Sequence, residues 1–236
     1  MKLYQFVLSP FAIKVRAALA LKGVAVEPVE ITLERYPELL RLNPRAKAPV
    51  LVDGETVVPD STAILAYVER RFPQPPLVPA DAARRARTWL LEDWADESLY
   101  WFGMYLDIHP DENTRLIRDL YVRQYTATVG DQVAEQILET WREQTYHQGI
   151  GRKPLAAVQE ELARHATMLA DLLGDAPYFG GDTPDLADCA LYGQSRYLAR
   201  TPQGAALVAA PPLAAWFGRM HAHDPVGLAL EPYAPQ

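Results

Sequence analysis

Residues 2–7 form a short apolar and aromatic run, and after Ser9-Pro10 the apolar positions Ile13, Ala17, Ala20 and Leu21 fall at helical spacing. The pattern predicts a strand, a tight turn and a helix. Lys22-Gly23 closes that helix, with a cation near its negative end and a glycine suited to a left-handed cap. Val24 to Ile31 reads as a second strand, parallel to the first because a helix joins them, and Pro28 assigns it to a sheet edge. Residues 33–42 predict a short helix ended by Asn43-Pro44. Two antiparallel strands, Val50 to Asp53 and Thr56 to Val58, flank the hairpin turn Asp53-Gly54. Ile64, Leu65 and Val68 then mark a helix from Ser61 to about Phe72, which Pro73 stops.

Phe72 to Pro79 holds four prolines in eight residues, a stiff connector that reads as a domain boundary. Everything beyond it is helical in period, over roughly 81–107, 112–147, 155–173, 186–199 and 213–222, with breaks at His109-Pro110, Gly149 to Pro154, Gly174 and Pro211-Pro212. The expected organisation is an α/β domain over residues 1–78 and an all-α domain over residues 79–236.

Composition narrows what such a chain does. With 49% hydrophobic residues it has ample material for a core. Its formal charge of −7 excludes a global basic field for nucleic acid or anionic lipid. A single cysteine, Cys189, rules out an internal disulfide framework and fits a reducing compartment. No run approaches the roughly 18 apolar residues of a membrane helix, and the first residues lack a secretory signal, so the expected location is the cytoplasm with no membrane partner. The five histidines show no metal-site spacing, and no metal is expected. Arg84, Arg85 and Arg87 read as a solvated basic face, and His221 and His223 as exposed.

Three turns carry candidate chemistry. Ser9 precedes a proline at a helix start, where its hydroxyl either caps the helix or faces an anionic ligand atom at the positive end. Asp60-Ser61 precedes the helix at 61–72, with the same two readings: capping, or a grip on an amino-acid head group. There the N–H groups and the Ser61 hydroxyl would take a carboxylate and Asp60 an ammonium. Ala48-Pro49 opens a strand, with Lys47 beside it.

Ser9 to Arg16 (Ser-Pro-Phe-Ala-Ile-Lys-Val-Arg), Asn43 to Leu51 (Asn-Pro-Arg-Ala-Lys-Ala-Pro-Val-Leu) and Asp60 to Ile64 (Asp-Ser-Thr-Ala-Ile) together resemble the N-terminal domain of glutathione transferases. The resemblance implies a thioredoxin-like domain with a cis proline at Pro49, and the acidic-serine pair holding the γ-glutamyl end of glutathione. The first motif is most similar to the tau and omega classes, with serine rather than cysteine at position 9. It implies a hydroxyl that stabilises the bound thiolate, with Ser9 catalytic and Phe11, Lys47, Ala48, Pro49, Asp60 and Ser61 around glutathione. Asp60 departs from the more usual glutamate or glutamine. Gly181 to Asp188 resembles the family's C-terminal capping segment, where Asp185 and Asp188 have a folding role. Glu92 to Trp101, Gln148 to Arg152 and Asp188 to Gly193 resemble the metaxin and failed-axon-connections branch, which leaves a non-catalytic interaction module as the alternative.

The resemblance thus implies a homodimeric enzyme that uses glutathione as co-substrate and attacks a small hydrophobic electrophile, a detoxification chemistry. The electrophile pocket is expected between the domains, with Tyr100, Trp101 and Tyr105 on its wall.

Overall fold

The computed structural model describes residues 1–124 and 127–224, with the side chains of 120–129 left aside. The first half forms one four-stranded sheet from β1 (Lys2–Gln5), β2 (Glu27–Glu30), β3 (Val50–Asp53) and β4 (Thr56–Pro59), in the order β2-β1-β3-β4. β2 runs parallel to β1 and lies at the edge, as Pro28 requires; β1–β3 and β3–β4 are antiparallel. Gly54 turns the β3–β4 hairpin with φ +59°.

Alternation along each strand sends neighbours to opposite faces. Leu3 and Leu51 meet Val15 and Leu19 of α1 (Pro10–Leu21) and Ile64 and Val68 of α3 (Ser61–Arg71). Tyr4 and Val50 meet Val29, Ile31 and Leu39, the last from α2 (Tyr36–Leu42) on the other face. This is the thioredoxin-like α/β arrangement. Lys22, at the end of α1, donates to Phe72 O and Pro75 O at 2.8 Å each and pairs with Glu69 at 2.7 Å, which fastens the proline-rich connector to the sheet domain.

The rest is helical: α4 (Ala82–Trp94), a π-helical turn (Ala95–Leu99), α5 (Tyr100–Ile108), α6 (Asp111–Gln124), α7 (Ala127–Gln148), α8 (Leu155–Leu173), α9 (Leu186–Leu198), α10 (Pro202–Ala205) and α11 (Pro211–His221). The single helix expected over 112–147 is two, α6 and α7, joined by an ion pair of Arg118 with Glu135. The junction at 125–126 and the last stretch, 225–236, lie outside the described residues.

Helix α9 is the axis of this bundle, with all but one of its residues buried. Asp185 caps it, accepting from Ala187 N and Asp188 N, and Asp188 returns a bond to Asp185 N. Asp188 also accepts from Phe179 N, Gly180 N and Trp216 Nε1, so one carboxylate ties the 179–185 loop and α11 to α9. The basic face of α4 is solvated at Arg84 and Arg85, as expected, and it also reaches the same loop. Arg84 donates to Gly180 O and Arg87 to Phe179 O, two carbonyls of the same loop. His221 is half-buried beside the Tyr192 hydroxyl and Arg196, not exposed.

Candidate active site

Strand direction brings the three chemically interesting turns to one end of the sheet. Tyr4, one residue before the end of β1, pairs with Val50, the first residue of β3; Val50 in turn pairs with Pro59, the last of β4. Ser9 follows β1, Ala48-Pro49 precedes β3, and Asp60-Ser61 follows β4. All three segments therefore lie at the same end of the sheet.

Ser9 stands immediately before α1, with Pro10 at the first helical position. Its backbone is extended (φ −66°, ψ 127°), as an N-cap should be, yet its side chain makes no capping hydrogen bond. Its N–H is taken by Phe6 O at 2.9 Å, and its C=O accepts from Ala12 and Ile13. The hydroxyl is thus left at the positive end of a three-turn helix, half-buried, where an anion is favoured. The Ala48–Pro49 bond is cis. Asn43 shapes the approach to it, donating from Nδ2 to Lys47 O at 2.8 Å and accepting from Arg45 N at 3.1 Å. Pro49 is buried and Lys47 exposed.

Asp60 sits in a left-handed backbone conformation (φ 86°) and caps α3 by accepting from Ala63 N at 3.0 Å. Ser61 is buried at the first helical position. The other first-turn N–H groups have no acceptor within the helix, so the cap leaves donors open at this end.

Phe11 contacts Tyr100 with ring centroids 5.0 Å apart, and Tyr100 stacks on Tyr197 at 5.8 Å and tilts against Trp101 at 5.6 Å. An aromatic wall therefore runs from the Ser9 turn into the helical domain. Tyr105 is not part of it. It is 2% exposed and donates its hydroxyl to Lys153 O at 2.9 Å, because α5 is enclosed on every side from Phe102 onward. Tyr197 takes its place in the aromatic chain. Its hydroxyl is held by Asp107 at 2.6 Å, and burial pushes its pKa well above the phenolic range.

A buried ion cluster underlies the wall. Lys14 Nζ bonds Glu92 at 2.7 Å, Asp96 more closely still, and Thr62 Oγ1 at 3.3 Å; Thr62 in turn donates to Glu92 at 2.7 Å. Burial pushes the Asp96 carboxyl up to about 6 against the opposing pull of Lys14. Burial works against the Lys14 ammonium too, but the Asp96 and Glu92 carboxylates outweigh it and raise its pKa. The sequence carried a signal for this cluster. A cation on a helix apolar all round demands a partner carboxylate, and Glu92 and Asp96 share one helical face four residues apart. Cys189 is fully buried and burial pushes its thiol up, so it is no nucleophile.

Two family models match the chain: Glutathione S-transferase, N-terminal domain, over residues 3–76, and Glutathione S-transferase, C-terminal domain, over residues 132–219. A maleylacetoacetate isomerase of Pseudomonas aeruginosa is 34% identical over 201 residues, 82% of this chain and 79% of that protein. The chain belongs to the glutathione S-transferase family. A zeta-class glutathione S-transferase of Euphorbia esula is 44% identical over 90 residues, 36% of this chain; the match spans only 40% of that protein's length. Among solved structures, a bacterial maleyl pyruvate isomerase described as a zeta-class glutathione S-transferase has a TM-score of 0.57 at 29% identity, over 94% of this chain and 92% of its own. As in other glutathione S-transferases, an enzyme family, a small mixed sheet precedes a helical domain. Among the described residues no group of side chains has the make-up of a metal site, and no helix is long and apolar enough to cross a membrane.

Proposed function

We propose that this glutathione S-transferase binds glutathione along the end of its sheet and activates the thiol for attack on a small hydrophobic electrophile. The observation that carries this reading is the Ser9 hydroxyl, placed at the start of α1 and spared from capping it. Asp60, Ser61 and the open N–H groups of α3 would hold the γ-glutamyl head group. Lys47, Ala48 and the cis bond at Pro49 would meet the cysteinyl backbone, and Phe11 with Tyr100 and Trp101 would wall the electrophile. A free thiol with pKa about 8.5 is only about 3% ionised at neutral pH. Lowering it by about two units requires roughly 2.7 kcal/mol. One charge-assisted hydrogen bond from Ser9, worth about 1.5–3 kcal/mol, together with the helix end, is of that size. The C–S bond then forms as the electrophile's leaving group departs with its electron pair.

The names of the two isomerase relatives favour a second reading on the same site. A thiol that adds beside a carbonyl-conjugated cis double bond and then leaves returns the substrate in the trans form, and glutathione is not consumed. Both readings are catalytic, and the enzyme names of the matched relatives favour them over the metaxin-like interaction module. The enzyme is proposed to act as a cytoplasmic homodimer. Calorimetry with glutathione tests the site, with binding expected in the micromolar to low-millimolar range. Mass analysis of the product then separates the readings, since conjugation adds the mass of glutathione and isomerisation adds none. No heat of binding at millimolar glutathione would overturn both.

A further inference from the structure

The turn that carries Ser9 is held from behind by charged groups that touch no expected part of the ligand. Val7 lies two residues before Ser9, and both of its backbone groups are taken by ionisable side chains. Its N–H donates to Glu30 Oε1 at 3.0 Å, from the end of β2. Its C=O accepts from Arg16 Nη1 at 3.2 Å, from α1. The same Nη1 donates to Gln5 Oε1 at 3.1 Å, on the last residue of β1.

The other edge of the guanidinium belongs to the far end of the chain. Asp224, just beyond α11, accepts from Arg16 Nε at 3.2 Å and from Nη2 at 3.3 Å, a contact between residues 208 apart in sequence. Arg196 Nη1 approaches the second Asp224 oxygen at 3.5 Å. The cluster is sealed, with Asp224 at 0% and Arg16 at 3% exposure. A guanidinium is planar and rigid, so a carboxylate that fixes one edge also fixes where the remaining nitrogen points. Asp224 therefore sets the position of Arg16 Nη1, and Nη1 sets the position of Val7 O. The Ser9 N–H bond to Phe6 O closes the same turn.

We propose that Asp224, Arg16 and Glu30 are positioning residues for Ser9: they hold the Val7–Ser9 turn so that the hydroxyl meets the glutathione sulfur, and thiol activation thereby depends on a carboxylate of the second domain. This deepens the transferase reading and rests on it.

The test compares the wild-type enzyme with Asp224→Asn, Arg16→Lys, Glu30→Ala and Glu30→Gln, each with Ser9 intact and as Ser9→Ala. Asp224→Asn removes the charge that orients the guanidinium. Arg16→Lys keeps a cation opposite Asp224 but loses the fork that reaches Val7 and Gln5 together. Either is expected to raise the pKa of the bound glutathione thiol, read by thiolate ultraviolet absorbance, by about one unit and to lower neutral-pH turnover about tenfold. Glutathione affinity should change less than about threefold, since its γ-glutamyl contacts lie at α3. Glu30→Ala should act in the same direction, and Glu30→Gln, which keeps an acceptor for the Val7 N–H, should restore the wild-type titration. Half-buried Glu30 keeps the test decisive if a variant in the sealed pair does not fold. With Ser9→Ala in place the same substitutions should add nothing, because the group they position is gone. An unchanged thiol pKa in folded variants, or an equal effect with and without the Ser9 hydroxyl, would overturn the proposal. A wild-type protein that binds glutathione without lowering its thiol pKa would instead remove the transferase reading, so the two failures are told apart.

Discussion

Ser9 separates a capping role from a chemical one, because a capping hydroxyl is already spent on the helix. Here the cap position is occupied and the cap bond is not made. Ser9→Ala is therefore expected to change folding stability by less than about 0.5 kcal/mol, instead of the roughly 1 kcal/mol lost with a working cap. It should leave glutathione affinity nearly unchanged and raise the bound thiol's pKa by about 1–2 units; denaturation curves and thiol titration of the variant check both. Asp96 makes a second prediction. Its carboxyl is pushed up to about 6, so between about pH 4 and pH 6 the native state keeps a proton that the unfolded chain has released, and stability falls as pH rises through that window. Denaturant titrations of the wild-type protein and Asp96→Asn should show the wild type losing ground to the variant from about pH 4 to pH 6; a constant difference would mean that Asp96 titrates normally. Sequence revealed some of these residues and concealed others for a simple reason. Ser9, Pro49 and Asp60-Ser61 stand at turns, whose chemistry is local. Lys14 and Arg16 meet partners 78, 82 and 208 positions away, and no local pattern joins them.

The elements that position the site were legible where punctuation residues mark them. Pro28 marks the edge strand, Gly54 the hairpin, Pro73 the end of α3, and Asp185 with Asp188 the start of α9. The division between α6 and α7 was not, because the helical period runs through Tyr125-Thr126 without a proline or a terminal glycine to mark it. Tyr105 was misplaced for a related reason: period alone does not tell a wall-facing aromatic from one enclosed on every side. Packing of α1 on α9 depends on Gly193, where an added Cβ would lie 2.5 Å from Pro10 O and 3.2 Å from Lys14 N. Backbone cannot give way there, so Gly193→Ala should cost about 1–3 kcal/mol by overpacking and, by displacing Pro10, should raise the bound thiol's pKa as well. Chemical denaturation and thiol titration together check it; a stable variant with a normal titration would show that α1 moves freely on α9. Asp188→Ala should be more severe, costing about 4 kcal/mol or more, because three backbone N–H groups and the Trp216 indole lose a buried acceptor, at about 1–3 kcal/mol for each donor left unpaired.

At the scale of the molecule, α1 is shared property. It belongs to the sheet domain by sequence, yet Lys14 is neutralised by Glu92 and Asp96 and Arg16 by Asp224, all from the helical half. Breaking a buried pair by removing one partner costs about 3–5 kcal/mol, so the halves are expected to unfold in one transition, and residues 1–78 alone are expected to show no cooperative unfolding. Calorimetry of the whole chain and of that fragment reads both outcomes directly. The same coupling sets the Ser9 turn against the helical wall, the arrangement proposed to ionise a glutathione thiol. The most direct measurement is the pH titration of thiolate absorbance for glutathione bound to the wild-type protein. A pKa about two units below the free value of roughly 8.5 is predicted, whereas glutathione that binds and titrates as it does in water would contradict the account.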